Sequence, residues 1–451
     1  MTFEHYRRDA AATLRLGAPL IAAQLAQISM GFVDTIMAGR LSARDLAAVA
    51  VGANIFWPVC FAWASVLIAV SPTVSHLFGA GNRKQIGHTV RQGLWVALLM
   101  SAGAFVSLRY SPLLLATAGV SAELVPVTTG FLKAISWGAP GLCVFNVLRS
   151  YSEGISSTRP VMYTSLVALA ANVIGDYIFM YGKLGMPELG AVGCGVASAI
   201  VMWMNAGMML IHVLMRKQYA PDRAFSKFEW PHWPEIRSLL HLGVPMSMSW
   251  FLEASLFGAV ALIMGALGTA IVAGHQIALN VASITFMIPL GIAMATTVRV
   301  GQAMGRGDVR AARFAGFTGI SLAASFMAGS ALFIFAFPGA IAGIYTRDPA
   351  VLRIAVSLLF MAAIFQISDG LQVAAAGALR GLKDTKFPMV ITFIAYWVVG
   401  MPFGYTLGIV RGGGAQTMWI GIICGLTAAA VLLNFRFHRV TRRLLAPGRI
   451  G

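Results

Sequence analysis

The chain has 451 residues, of which 58% are hydrophobic and only 11% charged, against roughly 25% charged in a soluble domain. With a mean hydropathy of +0.78, that balance excludes a soluble enzyme or binding module. The net charge of +17 invites a nucleic-acid reading, but the basic residues lie in short tracts between apolar runs, so they report topology and no nucleic-acid partner is expected.

The N-terminus, MTFEHYRRDAAATLRLG, is polar and leads straight into the first apolar run without a signal-peptide pattern. Leu46 to Asn82 contains no Lys, Arg, Asp or Glu. Runs of about 18 or more apolar residues read as membrane spans. They recur at approximately 13–38, 46–72, 86–107, 125–148, 160–181, 191–215, 238–265, 270–297, 312–336, 350–378, 387–409 and 415–435. The predicted fold class is an all-α polytopic membrane protein with twelve transmembrane helices. The longest connection, RKQYAPDRAFSKFEWPHWPEIR at 216–237, reads as a linker between an N-lobe (1–215) and a C-lobe (238–451) that ends in a short basic tail. Counting Lys and Arg by side places 25 of the 33 with the two termini and the linker. Both termini and the linker are therefore expected in the cytoplasm.

The two halves read as copies. LGAP at 16–19 matches LGVP at 242–245, and GAGN at 79–82 matches GRGD at 305–308, both at an offset of 226. GISSTRP at 154–160 resembles GLKDTKFP at 381–388, one residue further on. Six spans per half is an even number, so both halves insert with one orientation. That predicts two six-helix lobes related by a pseudo-two-fold axis along the membrane normal, with a transport path where they meet. The chain has no G-x-x-x-x-G-K-[ST], so the glycine loops read as tight cytoplasmic turns rather than as a nucleotide cradle. Cys60, Cys143, Cys194 and Cys424 are scattered singly, without zinc or redox spacing. No cofactor and no enzymatic activity are expected.

Ionisable residues inside spans are costly and mark functional sites. Asp34, Asp176, Glu253 and Asp369 qualify, whereas Glu153, Asp45, Asp308, Asp348 and Asp384 fall at span ends or in loops. Glu253 lies about 15 residues, roughly 22 Å, into the seventh span, and Asp369 about nine residues, roughly 14 Å, from the cytoplasmic end of the tenth. Lys and Arg are absent from Ser238 to Thr297 and from Ile354 to Leu379, so these spans read as acidic and free of bases. A desolvated carboxyl can bind and release a proton near neutral pH, or surrender it to a hard cation such as sodium. Ser368 and Gln372 flank Asp369 and offer neutral oxygens. Trp250, Phe251 and Phe365 lie close to the acids, and a ring beside a carboxylate suits a lipophilic cation. Asn172 and Asp176 are one turn apart and share a face, as do Gln276 and Asn280.

GFVDTIMAG at 31–39, GAGN at 79–82, EGISSTRP at 153–160, NVIGDY at 172–177, the Glu253 span, HQIALNVASITFMIPLG at 275–291 and GALRGLKDTKFP at 377–388 together carry a resemblance. The chain resembles a MATE (multidrug and toxic compound extrusion) transporter of the NorM-like branch, over nearly its whole length. The resemblance implies two lobes around a V-shaped cleft and export of organic cations or drugs against inward sodium or protons, by alternating access. A monomer in the bacterial inner membrane is expected. The resemblance points to Glu253 and Asp369 as cation sites, metal sites if the ion is sodium, and to Asp34 with Asn172, Asp176 and Cys194 as a proton-responsive network. Many relatives carry a Tyr where this chain has Phe365, which removes one hydroxyl ligand. A flippase of lipid-linked precursors in the same superfamily is the alternative, but it should show intramembrane Arg or Lys for pyrophosphate.

The topology has a direct test. An accessibility tag inserted at 225 should report from the cytoplasm and one at 184 from the opposite side; both tags on one side would overturn the twelve-span reading.

Overall fold

A computed structural model describes residues 3–446 apart from 112, 114 and 116–120. The described residues form helices and turns, with no strand among them. A lipid-embedded backbone must satisfy its own hydrogen bonds, and a helix does so within one segment. The helices are α1 (Phe3–Leu41), α2 (Ala43–Gly79), α3 (Arg83–Tyr110), α4 (Leu124–Ser136), α5 (Ala139–Gly154), α6 (Arg159–Phe179) and α7 (Ala191–Met215). They continue with α8 (Trp233–Leu267), α9 (Thr269–Gly305), α10 (Val309–Ala336), the short α11 (Pro338–Tyr345), α12 (Pro349–Gly381), α13 (Lys386–Val410) and α14 (Gly414–Leu445). Eleven of them are long and apolar enough to cross a membrane, and the pair α4 and α5, bent by 43°, makes a twelfth. The expected fourth span is that bent pair. Within α2 the stretch Ala64–Ala69 is 3₁₀. Pro72 follows it, and a proline ring crowds the carbonyl four residues back, here Ile68.

The repeat is visible in the backbone. Gly81 and Gly307 both have positive φ, +73° and +77°, and each is followed by a residue that caps the next helix. Asn82 accepts from the Gln85 amide at 3.3 Å, and Asp308 from the Ala311 amide at 2.9 Å. The loops GAGN and GRGD are thus the same turn, in which a left-handed residue reverses the chain and an acceptor satisfies an orphan N–H. Ser156 and Lys383, 227 residues apart, also share a positive φ, +64° and +60°.

Packing divides the chain into two compact units, Ala22–Met248 and Met1–Ile21 with Ser249–Gly451. These boundaries differ from those expected at 215 and 238. The first helix of each repeat starts in one unit and ends in the other. The beginning of α1 belongs with the second half, where Gly17 faces Ala295 and Ile21 faces Gly291. The beginning of α8 belongs with the first, where Ser247 donates to the Phe61 carbonyl at 2.7 Å.

The linker is docked rather than free. Arg91 donates to the carbonyls of Arg223 and Ala224 at 2.7 and 2.9 Å, Trp95 to that of Glu229 at 2.9 Å, and Tyr151 to Asp222 at 2.6 Å. Glu229 gathers Arg91, Lys227 and His88 within 3.0 Å. Those partners, Arg91 first, hold its carboxyl well below the usual range.

In the second unit, α13 and α14 meet through glycine. Gly400 and Gly404 oppose Gly421 and Gly425, so both helices carry the G-x-x-x-G spacing that lets backbones approach in a membrane. A β-carbon on Gly421 would overlap the backbone of Gly404. Gly421→Val should therefore cost about 1–3 kcal/mol or more, seen as a lower melting temperature of the purified protein. Gly329→Ala, at a position with nothing within 4 Å, is the control; equal melting of both variants with the parent would refute the close contact.

Candidate functional site

Each unit holds one cluster of intramembrane carboxyls. In the first, Asp34 on α1 accepts a hydrogen bond from the Asn172 amide on α6 at 3.1 Å. Asp34, Asp176 and Cys194 bring their ligand atoms within 4.8 Å of one another. Asp176 and Cys194 are fully buried and Asp34 is half-buried. Neither oxygen of Asp176, nor Oδ1 of Asn172, makes a hydrogen bond of ordinary geometry. Buried oxygens without donors are what a proton or a hard cation satisfies.

Local contacts hold this cluster in place. Asp45 takes the Ser42 hydroxyl at 2.6 Å and the Ala191 amide at 2.7 Å, clamping the start of α7 three residues before Cys194. Tyr181 donates to the Met37 carbonyl at 2.8 Å, one turn beyond Asp34.

The second cluster is built on α8, α12 and α13. Glu253, half-buried near the middle of α8, hydrogen-bonds Gln372 and faces the carboxyl of Asp369, which is buried. Asp369 and Gln372 are three apart on α12 and share a face. Tyr396 on α13 donates its hydroxyl to the Gln372 amide oxygen at 2.6 Å and is itself fully buried. Next to it Trp397 donates to the Leu252 carbonyl at 3.2 Å, which pins α13 against α8 beside Glu253.

Two members of this cluster, Tyr396 and Arg380, are not among the residues expected from the sequence. Tyr396 brings back a phenol, from α13 instead of from position 365. No spacing signals it. Arg380, 9% exposed in the last turn of α12, has its guanidinium 5.9 Å from the ring centre of Trp250 and is attracted by Glu253. The expectation of a base-free environment is therefore corrected. A helical side chain is directed towards its helix N-terminus, so a residue just outside the apolar run reaches back into it. The repeat held the signal, since Arg380 falls at the offset of 227 from Glu153, a charged position in both halves.

The remaining candidates separate. Phe365 is 3% exposed and packs between Phe257 and Trp419, at ring separations of 6.0 and 5.8 Å. It is core, not the lining expected of it. Ser368 pairs with the Thr427 hydroxyl at 2.8 Å, so it turns to α14. Asn280 takes the Tyr345 hydroxyl at 2.8 Å, and Gln276 is exposed. Phe251 is 37% exposed and Trp250 lies under Arg380. The acids at span ends are occupied structurally. Glu153 pairs with Arg149 at 2.7 Å, Asp384 with Arg436 at 2.8 Å, and Asp348 caps α12 at Ala350 at 2.8 Å.

The MatE family model matches this chain twice, at residues 19–178 and 245–406. The chain belongs to the MATE family. Its two matched segments start 226 residues apart, the offset of the internal repeat. It is 41% identical over 433 residues to the probable multidrug resistance protein NorM of Idiomarina loihiensis, covering 95% of this chain and 94% of that protein. It is 42% identical over 440 residues to the multidrug resistance protein MdtK of Yersinia enterocolitica, covering 96% of each. Among solved structures it resembles the eukaryotic MATE transporter AtDTX14, with a TM-score of 0.89 at 18% identity over 97% of this chain and 98% of that one. It also resembles an outward-facing multidrug resistance MATE transporter, with a TM-score of 0.88 at 20% identity over 97% of each chain. The chain is thus a multi-pass membrane protein with the MATE fold.

Proposed function

We propose that this MATE protein exports organic cations, drugs among them, in exchange for sodium ions or protons entering the cell, by alternating access in a bacterial inner membrane with both termini cytoplasmic. The observation that carries the reading is the pair of intramembrane carboxyl clusters, one in each unit: Asp34 with Asp176, whose oxygens lack donors, and Glu253 facing the buried Asp369. Both are suited to an exchangeable monovalent cation. The curated relatives named as multidrug resistance proteins supply the substrate class.

The mechanism needs no covalent step. Glu253 and Asp369 hold the incoming cation, with Gln372 and the Tyr396 hydroxyl as neutral ligands and positioning groups. Asp34, Asp176, Asn172 and Cys194 form a second cation-sensitive site. Cation and drug prefer different conformations, and exchange follows from their differential affinity for the two. A pyrophosphate-binding flippase site would call for several convergent bases. Arg380 is one guanidinium among carboxyls, which favours cationic cargo.

Glu253→Gln and Asp369→Asn keep size and hydrogen bonding while deleting the exchangeable charge. In proteoliposomes each variant should insert, retain passive ethidium exchange, and lose the acceleration given by an imposed ion gradient. The double variant should be little worse than either single one, because residues acting as one unit are non-additive. Gradient-driven efflux at the parental rate in both single variants would refute the assignment, and the Asp34 cluster would take its place.

A further inference from the structure

Arg380 carries a charge that the exchange of one cation for another does not by itself require. A guanidinium stays protonated in proteins, and a buried charge must be compensated. Its hydrogen bond from Nε to the Ala376 carbonyl, at 3.2 Å, supplies a dipole and no charge. Among the described residues Arg380 has no carboxylate within ion-pair distance. Trp250, over which the guanidinium lies, is three residues from Glu253 on α8 and so on the same face. The carboxyl that attracts Arg380 is Glu253, and Glu253 in turn faces Asp369.

The first repeat handles the same place differently. At an offset of 227, Arg380 corresponds to Glu153 and Ala376 to Arg149; at 226, Trp250 corresponds to Gln24. In the first half Arg149 and Glu153 neutralise each other one turn apart, at 2.7 Å, and Arg149 also donates to Gln24 at 2.8 Å. In the second half the sign at the shared position is reversed and the local partner is an alanine. The charge is left for the cluster to balance.

Resting on the cation-exchange reading above, we propose that Arg380 is a fixed counter-cation of the Glu253–Asp369 pair. Its fixed charge offsets one of the two negative charges of the pair without a direct ion-pair contact, so that the cluster exchanges one monovalent cation per cycle rather than two. Arg380 acts through Glu253 and is a positioning residue for charge. With both acids ionised the cluster carries one net negative charge, which one entering cation cancels. Without Arg380 it would carry two.

The test is coupling stoichiometry in proteoliposomes, read as the response of ethidium flux to an imposed membrane potential under a fixed gradient of the coupling cation. One-for-one exchange of monovalent cations moves no net charge and is indifferent to the potential, whereas two-for-one exchange moves one charge per cycle and stops at a defined potential. The parent and Arg380→Lys should exchange one cation per ethidium. Arg380→Gln should exchange two, and its affinity for the coupling cation should be about tenfold higher, as expected when a nearby like charge is removed. Should Arg380→Gln fail to fold, Ala376→Glu gives Arg380 the local partner that the first half has, and should likewise raise the stoichiometry to two. A stoichiometry of one in Arg380→Gln or Ala376→Glu, with Glu253→Gln still uncoupled, overturns this inference alone. Unchanged coupling in Glu253→Gln overturns the exchange site itself, and this inference with it.

Discussion

A carboxylate taken out of water must find a partner, and in this protein that rule decides what each acid does. Removing one partner of a buried pair typically costs about 3–5 kcal/mol, so an acid inside a span is either locked or exchangeable. Glu153 is locked by Arg149, and Asp384 by Arg436. Asp45 is used up as a cap, taking a hydroxyl and an amide. Asp34, Asp176 and Asp369 have neutral donors, too few donors or one another, and Glu253 has Gln372 and the Arg380 guanidinium without a closed ion pair. Their remaining need is met by something that can come and go, which is the physical content of the antiport proposal.

Duplication supplied the frame within which this rule works twice. Both repeats reverse the chain at a left-handed glycine followed by a capping Asn or Asp, and both place a proline, Pro19 and Pro245, inside their first helix. Identical backbone devices leave side chains at equivalent positions free to diverge. The change from Glu153 to Arg380 reverses a charge without disturbing the turn that follows it. One unit thereby gains a closed ion pair and the other an open cluster.

Much of this was legible in the sequence because ionisable residues in long apolar runs are few. Glu253, Asp369, Asp34 and Asp176 stand out by that criterion alone, and the one-turn spacing of Asn172 and Asp176 fixed their common face. The internal offset and the apolar runs exposed the repeat and the twelve spans. What stayed hidden depends on tertiary partners. Tyr396 is one of many aromatics until α13 packs on α8. Arg380 reads as a loop charge until its side chain is seen to turn back along α12. Phe365 and Ser368 are near Asp369 in sequence but point elsewhere, to Trp419 and Thr427. The linker's polar composition did not reveal that its backbone carbonyls satisfy Arg91 and Trp95, nor that the packing boundaries fall inside α1 and α8.

The central claim is that cations at buried carboxyls drive export, and the most direct measurement is ethidium transport by the purified protein in liposomes. Sodium and proton gradients are imposed separately, with the membrane potential clamped and no nucleotide present. The account predicts that at least one of the two gradients drives ethidium uphill, and that collapsing that gradient stops it at once. Transport that proceeds equally under either gradient and under neither, or that runs uphill only with ATP, would contradict it.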